Sequence, residues 1–208
     1  MLHFLLAAAL ALGPLDLPSA WQTLAYRGIP PNRVEFSGQG MAIHVDRSAG
    51  PVVWPLDQPR TVTHLHVRGT VIGSLQTTAG RQGQKGADDF VLRVGLVESG
   101  SRRPGFMERR FAADWVRRLF AMAPAGDGIG RIRFFNLGLS DSQIGWARAH
   151  PLSDLLYESV VAAPDEHGAF TFTVRVGGPP VLGIWLSADG DDTQSTFSVQ
   201  IEALELQP

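Results

Sequence analysis

The chain has 208 residues, of which 44% are hydrophobic and 18% charged, with a formal net charge of −2 and no cysteine. This composition excludes an intrinsically disordered chain, and the near-neutral charge excludes nucleic acid as a bulk electrostatic partner. The absence of cysteine excludes thiol nucleophiles, disulfides and cysteine-ligated metal centres. Domains average roughly 150 residues, and since the sequence shows neither a repeat nor a linker, we predict one domain over residues 21–208.

The N-terminal segment is apolar from residue 2 to residue 12, and the run ends at Gly13. Its length matches the core of a signal peptide and falls short of the ~20 residues that span a bilayer. We therefore predict a signal peptide over residues 1–20, with export to the periplasm or the extracellular space. The alternative is a buried first helix of a cytoplasmic domain. The remaining sequence contains no apolar run of membrane-spanning length, so the mature chain is expected to lack a transmembrane segment.

Most of the chain after Ala20 consists of short segments with strand character. They alternate apolar and polar residues or are rich in β-branched residues, and each is bounded by Gly, Pro, Asp or Ser. About nine such strands predict an all-β fold, a jelly-roll-like β-sandwich. The segments cover residues 34–36, 41–45, 52–54, 61–71, 88–97, 129–139, 170–176, 181–187 and 195–206.

Two segments favour helix instead of strand. Over about residues 108–122 apolar side chains recur at helical spacing with arginines between them, which predicts one amphipathic helix that caps an end of the sandwich. Residues 153–161 predict a second, short helix with Ser153 as its N-cap. The first helix would place Trp115 in the core.

The densest acidic segment contains Asp189, Asp191 and Asp192 around Gly190, between two predicted strands. Alternating carboxylates on a flexible turn are typical of calcium ligands, which predicts a calcium site at these three residues. The EF-hand spacing is absent, and Asp and Gly are also the residues that hairpin turns require. Both interpretations stay open.

A second acidic pair, Asp88 and Asp89, lies where a glycine-rich loop enters a strand. Arg93 shares a strand face with Asp89, so an Asp89–Arg93 ion pair is the structural interpretation. The functional interpretation places Asp88, Asp89 and Arg93 in a ligand-binding site, together with the acidic segment at 189–192. That arrangement would form one acidic site at an end of the sandwich.

Two of the five tryptophans lie near predicted loops. Trp54 and Trp146 are the candidates for an exposed surface on which a sugar ring could stack, whereas Trp115 and Trp185 occur in apolar patterns typical of the core. The sequence contains neither a Gly-x-Ser-x-Gly elbow nor a phosphate-binding glycine loop.

Two segments resemble a known family. Residues 85–94 (KGADDFVLRV) are similar to the KxGDDFAARV strand entry of a family of uncharacterised exported bacterial proteins, domain of unknown function 3047. Residues 183–193 (GIWLSADGDDT) are similar to that family's IAIMTDTDNTG segment. The resemblance implies a galactose-binding-like jelly roll and brings no activity with it. Both acidic segments fall within the shared motifs, and carboxylates that cap loop amides would explain this as well as a binding site would.

The leading functional hypothesis is a non-catalytic module that binds carbohydrate or another cell-envelope ligand at one end of the sandwich. It rests on fold-level analogy. An envelope glycan hydrolase with acid and base from Asp88, Asp89 and residues 189–192 is the second hypothesis. A purely structural or protein-interaction domain is the third.

Overall fold

The computed structural model describes residues 13–105, 113–151 and 153–208. These ranges contain twelve strands in two sheets that pack face to face. In spatial order the seven-stranded sheet consists of β1 (Gln22–Thr23), β4 (Ala49–Arg60), β11 (Val181–Asp189), β6 (Arg93–Gly100), β7 (Gly128–Leu137), β9 (Ser153–Ala162) and β8 (Ala147–His150). The five-stranded sheet consists of β10 (Ala169–Arg175), β5 (His64–Gly73), β12 (Thr196–Gln207), β3 (Gly40–Asp46) and β2 (Arg33–Ser37).

The prediction of an all-β sandwich is confirmed, and each of the nine predicted strands corresponds to an observed one. All strand pairs within the described ranges are antiparallel except β7 with β9. The main hydrophobic core lies between the sheets, where alternate side chains of both inner faces meet. A second cluster lies on the outer face of the seven-stranded sheet.

The central strand β11 is buried along its whole length. Ile184 and Leu186 face the inter-sheet core, whereas Leu182 and Trp185 belong to the outer cluster. A strand covered on both faces reads as a continuous apolar run instead of an alternating one. This burial extends to Asp189 at the end of the strand, which is 5% exposed.

Halfway along strand β12, the side chains that face the core change from odd-numbered to even-numbered residues. Phe197, Val199 and Ile201 are buried, as the odd-numbered alternation predicts. The pairing with β5 shifts register between Ile201 and Ala203, and beyond this bulge Leu204 and Leu206 are the buried residues. The bulge is the physical reason for the break in alternation at Leu204.

The amphipathic helix, α1, covers Asp114–Phe120 within the described residues, and the earlier part of the predicted range, 108–112, lies outside them. It packs on the outer cluster of the seven-stranded sheet through Trp115 and Leu119. The helix therefore covers a face of this sheet, whereas the sequence predicted that it would cap an end of the sandwich. The second predicted helix is wrong. Residues 153–161 belong to β9, which pairs with both β7 and β8 and whose β-branched end favours strand.

The segment before β1 forms two short 3-10 turns, Pro14–Asp16 and Pro18–Ala20. The indole Nε1 of buried Trp21 donates a hydrogen bond of 3.0 Å to the Pro14 carbonyl. Leu15 and Ala20 pack against the inter-sheet core. Residues 1–12 of the predicted signal peptide lie outside the described residues, so its removal stays a prediction. None of the helices described here is both long and apolar enough to cross a membrane.

Candidate functional site

A cleft of about 450 Å³ lies on the outer face of the seven-stranded sheet, between helix α1 and the loop that joins β11 to β12. Its lining includes four aromatic residues, here called the aromatic wall: Tyr26, Trp115, Phe134 and Trp185. It also includes five aspartates, here called the acidic wall: Asp88, Asp89, Asp189, Asp191 and Asp192. Arg93, Ser187 and His150 lie among them. The cleft thus combines apolar ring surface with charged hydrogen-bonding groups.

The aromatic wall is held together by edge-to-face contacts. The ring centroids of Tyr26 and Trp115 are 6.1 Å apart at 87°, and those of Trp115 and Trp185 are 5.9 Å apart at 86°. Phe134 meets Trp185 at 6.4 Å and 84°. Such contacts are the preferred geometry of aromatic pairs, so the wall is preorganised by its own packing.

The two acidic segments meet at the cleft through backbone hydrogen bonds and a side-chain contact. The carboxylate of Asp89 accepts hydrogen bonds from the Thr193 backbone N–H at 2.7 Å and from the Thr193 hydroxyl at 2.6 Å. The backbone N–H of Asp88 donates to Asp192 at 3.3 Å. Asp89 therefore anchors the β11–β12 loop. The Asp89–Arg93 pair expected from the sequence is wrong, because the loop amides take this carboxylate.

Arg93 instead forms the centre of the charge cluster. Its guanidinium lies 3.2 Å from the Asp189 carboxylate and 3.6 Å from those of Asp88 and Glu158. It also donates to the Asp88 carbonyl at 2.6 Å and lies 4.7 Å from the centroid of the Phe90 ring. Neighbouring carboxylates raise the pKa of Arg93 although burial acts in the opposite direction, so the guanidinium is a permanent cation.

Three members of this cluster were missed in the sequence. Arg148 donates to Asp88 at 2.7 Å and to the fully buried Glu158 at 2.9 Å, and His150 Nε2 lies 3.1 Å from Asp88. Arg148 and His150 lie on β8, 60 and 62 residues beyond Asp88. The buried Glu158 lies on β9, in the segment that was predicted to be helical. The one local signal for Arg148 and His150 was the alternation of polar residues along β8, and that strand is only four residues long.

The predicted calcium ligands are not grouped as a metal site. Among the described residues, the ligand atoms that lie within 4.8 Å of one another belong to Asp88, His150 and Glu158, and not to Asp189, Asp191 and Asp192. Arg148 already donates a hydrogen bond to each of the two carboxylates of that group. Asp189 faces Arg93.

The carboxyl groups of the cleft differ in acidity. Burial raises the pKa of Asp189 to about 7; the carboxylates of Asp89, Asp191 and Asp88 add to the shift and Arg93 opposes it. Burial and Asp89 also raise the pKa of Asp191. Burial would raise the pKa of Asp88 too, but the hydrogen bond from His150 and the charge of Arg93 outweigh it and lower that pKa.

Besides the Nε of Arg93, two buried polar groups in the cleft have hydrogen-bonding capacity that the described residues do not use. Neither carboxylate oxygen of Asp189 accepts a hydrogen bond from them, although the residue is 5% exposed and paired with Arg93. The indole Nε1 of Trp185, which is 3% exposed, donates to none of them either. Buried polar groups are normally hydrogen-bonded, so both groups point to a ligand or to water.

The two tryptophans proposed as a stacking surface lie in different environments. Trp54 is 6% exposed and packs against Trp21 in the inter-sheet core, with ring centroids 6.0 Å apart, so its prediction as an exposed ligand contact is wrong. The Val-Val-Trp run around it belongs to a buried stretch of β4. Trp146 is 38% exposed and stacks on Phe90, and Arg148 lies 5.0 Å from its centroid, so it borders the charge cluster from outside the cleft.

A larger groove of about 730 Å³ lies against the five-stranded sheet. Its lining includes Arg68 and Glu202, which form an ion pair with each other, and none of its described lining residues is aromatic. Its charged groups are already paired, whereas the cleft has unused hydrogen-bonding groups beside aromatic rings. The cleft is therefore the candidate site.

No family model matches the chain, and no curated protein matches it. Solved structures with a similar shape include a family 11 carbohydrate-binding module from Clostridium thermocellum, in complex with a β-1,3-1,4-mixed-linked tetrasaccharide. It is 8% identical, with 95% of each chain covered and a TM-score of 0.44. The xylan-binding module CBM15 is 10% identical, with 94% of each chain covered and a TM-score of 0.39.

A further similar structure is the family 11 module of the cellulosomal cellulase Lic26A-Cel5E of C. thermocellum. It is 8% identical, covering 95% of this chain and 94% of that one, with a TM-score of 0.44. The β-sandwich fold assigned above is established by the strand pairing of the chain itself.

Proposed function

We propose that the protein is a non-catalytic carbohydrate-binding module whose site is the cleft on the seven-stranded sheet. The observation that carries this proposal is that aromatic rings and carboxylates line the same cleft, with unused hydrogen-bonding groups on Asp189 and Trp185. Sugar rings present apolar C–H faces and a rim of hydroxyl groups. An aromatic ring packs against the C–H face, and carboxylate oxygens and an indole N–H form hydrogen bonds with the hydroxyl groups.

Binding to a panel of soluble oligosaccharides, followed by calorimetry on those that bind, tests the proposal. Trp115→Ala removes a partly exposed ring from the aromatic wall and is expected to weaken binding about tenfold or more, equivalent to about 1.4 kcal/mol. Ile72→Ala is the matched control, because Ile72 is 65% exposed on the other sheet and lies outside the cleft. Absence of binding to every glycan, or an equal loss in both variants, would contradict the proposal.

A glycan hydrolase is the second candidate, and one observation favours it. Asp189 has a pKa raised to about 7 while the nearby Asp88 has a lowered pKa, which separates a proton donor from an ionised carboxylate. Release of reducing ends from cell-envelope glycans, lost in Asp189→Asn, would support hydrolysis. Binding without turnover would support the module.

We further propose that the protein belongs to the exported family 3047 that its two motifs resemble. Residues 85–94 and 183–193 carry the resemblance, and they contribute the acidic wall through Asp88, Asp89 and the β11–β12 loop. A shared motif would then preserve the Asp89–Thr193 link. A structure of a family member without this link between its two segments would count against membership.

Export is part of this proposal, and the N-terminal run of residues 2–12 supports it. Cleavage after Ala20, as predicted from the sequence, would remove the Pro14 carbonyl that accepts the hydrogen bond from Trp21. Mass spectrometry of the protein from its native host tests export and locates the cleavage. An intact chain that begins at Met1 in the cytosol would overturn it.

A further inference from the structure

The charges that line the cleft are strongly unbalanced. The acidic wall contributes five carboxylates, whereas Arg93 is the one permanent cation among the described lining residues. That guanidinium is shared among Asp88, Asp189 and Glu158. Even with Asp189 protonated, the lining carries excess negative charge, and a low-dielectric cleft of one sign concentrates ligands of the opposite sign.

A separate observation shows where a ligand group would bind. Asp89 is engaged by Thr193, and Asp88 by Arg148. One oxygen of Asp189 lies 3.2 Å from the Arg93 guanidinium, but neither oxygen accepts a hydrogen bond from the described residues, and this side chain is more than nine-tenths buried in the cleft lining. The Asp189 carboxylate can therefore accept a hydrogen bond from a donor group of a ligand.

The aromatic wall adds to this preference. Trp115, whose ring is partly exposed, lies in the same cleft as the Asp189 oxygens that accept no hydrogen bond. An ammonium group near the face of a tryptophan is attracted by the ring quadrupole, more strongly than near any other aromatic side chain. Aromatic rings beside carboxylates form a site whose chemistry suits an amine cation better than a hydroxyl group.

We infer that the ligand of this cleft is an amino sugar with a free, protonated amine, whose ammonium group binds between Asp189, Asp191 and the aromatic wall. The inference rests on the proposed carbohydrate-binding function. Acidic sugars are excluded because their carboxylates would lie beside the carboxylates of the cleft, and like charges repel strongly at short distance in a low dielectric. N-acylated sugars keep the ring and its hydroxyl groups but lose the charge.

The decisive experiment compares two ligands that differ in one group. Calorimetry of the whole protein at about pH 7, where Asp189 begins to ionise, measures binding of a glucosamine oligomer and of an N-acetylglucosamine oligomer of the same length. We expect at least about tenfold tighter binding of the glucosamine oligomer, and a loss of that advantage as salt is added. An oligomer of a uronic acid is expected not to bind.

Asp191→Asn removes one negative charge from the cleft and is expected to reduce the preference for the charged oligomer. Asp57→Asn, which changes an exposed residue of β4 outside the cleft lining, is expected to leave it unchanged. Equal or tighter binding of the N-acetylated oligomer would overturn the inference while carbohydrate binding stands. Failure of every tested glycan to bind would overturn the proposed function itself and the inference with it. If Asp191→Asn does not fold, the salt dependence of the wild-type protein tests the inference instead. A preference for the glucosamine oligomer that added salt does not reduce would contradict it.

Discussion

Asp89 and Thr193 are 104 residues apart in the sequence, and the carboxylate of the first accepts two hydrogen bonds, of 2.7 and 2.6 Å, from the second. This link joins the entry of β6 to the β11–β12 loop and brings the two acidic segments to the same cleft. It gives Asp89 a structural function beside a candidate ligand site, and it makes the position of Asp191 depend on a residue far away in sequence.

Asp89→Ala is expected to lower the free energy of unfolding by about 1–3 kcal/mol, because it leaves the backbone N–H groups of Asp192 and Thr193 without their acceptor. Asp192→Ala is the control, since Asp192 is exposed and accepts one long hydrogen bond. That substitution should stay within about 0.5 kcal/mol of wild type. Urea denaturation measures both, and equal effects would contradict the anchoring role of Asp89.

Asp189 is expected to make the free energy of unfolding decrease as pH rises from about 4 to about 7. Its pKa is raised to about 7 in the folded protein, so the folded state holds a proton that the unfolded chain releases near pH 4. Stability falls with pH wherever the folded state binds more protons, by at most about 1.4 kcal/mol per pH unit for one group. The raised pKa of Asp191 acts in the same direction.

Denaturation curves of wild type and Asp189→Asn across this pH range measure the effect. The variant should show a shallower decrease, because its amide does not titrate. Asp88 has a lowered pKa, and its contribution is lost only as pH falls below the ordinary range of aspartate, so it does not mask the result. The same slope in both proteins would contradict the assignment to Asp189.

Calcium is expected not to raise the melting temperature, although the acidic pattern at residues 189–192 predicts that it should. Among the described residues, the carboxylates of Asp189, Asp191 and Asp192 are not grouped closely enough to ligate one ion, and both carboxylates of the group that is, Asp88 and Glu158, already accept hydrogen bonds from Arg148. Thermal melts with calcium and with chelator test this. A calcium-dependent increase that disappears in Asp191→Asn and in Asp89→Asn would restore the calcium site.

Ile201→Ala is expected to lower the free energy of unfolding by about 2–5 kcal/mol, because Ile201 is fully buried in the inter-sheet core and its loss leaves a cavity. Ile72→Ala changes the same residue type on the neighbouring strand β5, where the side chain is 65% exposed. The control should change stability by less than about 0.5 kcal/mol. Similar values for both variants would mean that the faces of β12 are reversed.

A chain that begins at Trp21 is expected to be less stable than one that begins at Gly13, by about 1–3 kcal/mol. The shorter chain leaves the buried indole N–H of Trp21 without the Pro14 carbonyl and removes the packing of Leu15. Chemical denaturation of the two variants measures the difference. Equal stability would show that residues 13–20 contribute nothing to the fold, which would remove the structural objection to cleavage after Ala20.

The sequence by itself determined the fold class and most of the strands. The alternation along β5 and β12 is a local pattern, and so is the apolar run of β11. Such patterns depend only on which faces of a strand are buried, so they can be recognised without knowing the partner strands. It misassigned residues 153–161, because the side chains of a short segment allow either helix or strand. The pairing of that segment with β7 and β8 decided the outcome.

The composition of the site was decided by the tertiary structure alone. The sequence identified both acidic segments, but it could not show that β8 and β9 bring Arg148, His150 and Glu158 to Asp88. It also left Trp54 as a candidate surface residue that the structure buries. Hydrogen bonds and ion pairs between strands act over a few ångströms in space and over any distance in sequence. The partners of a buried charge are therefore known only once the sheet has formed.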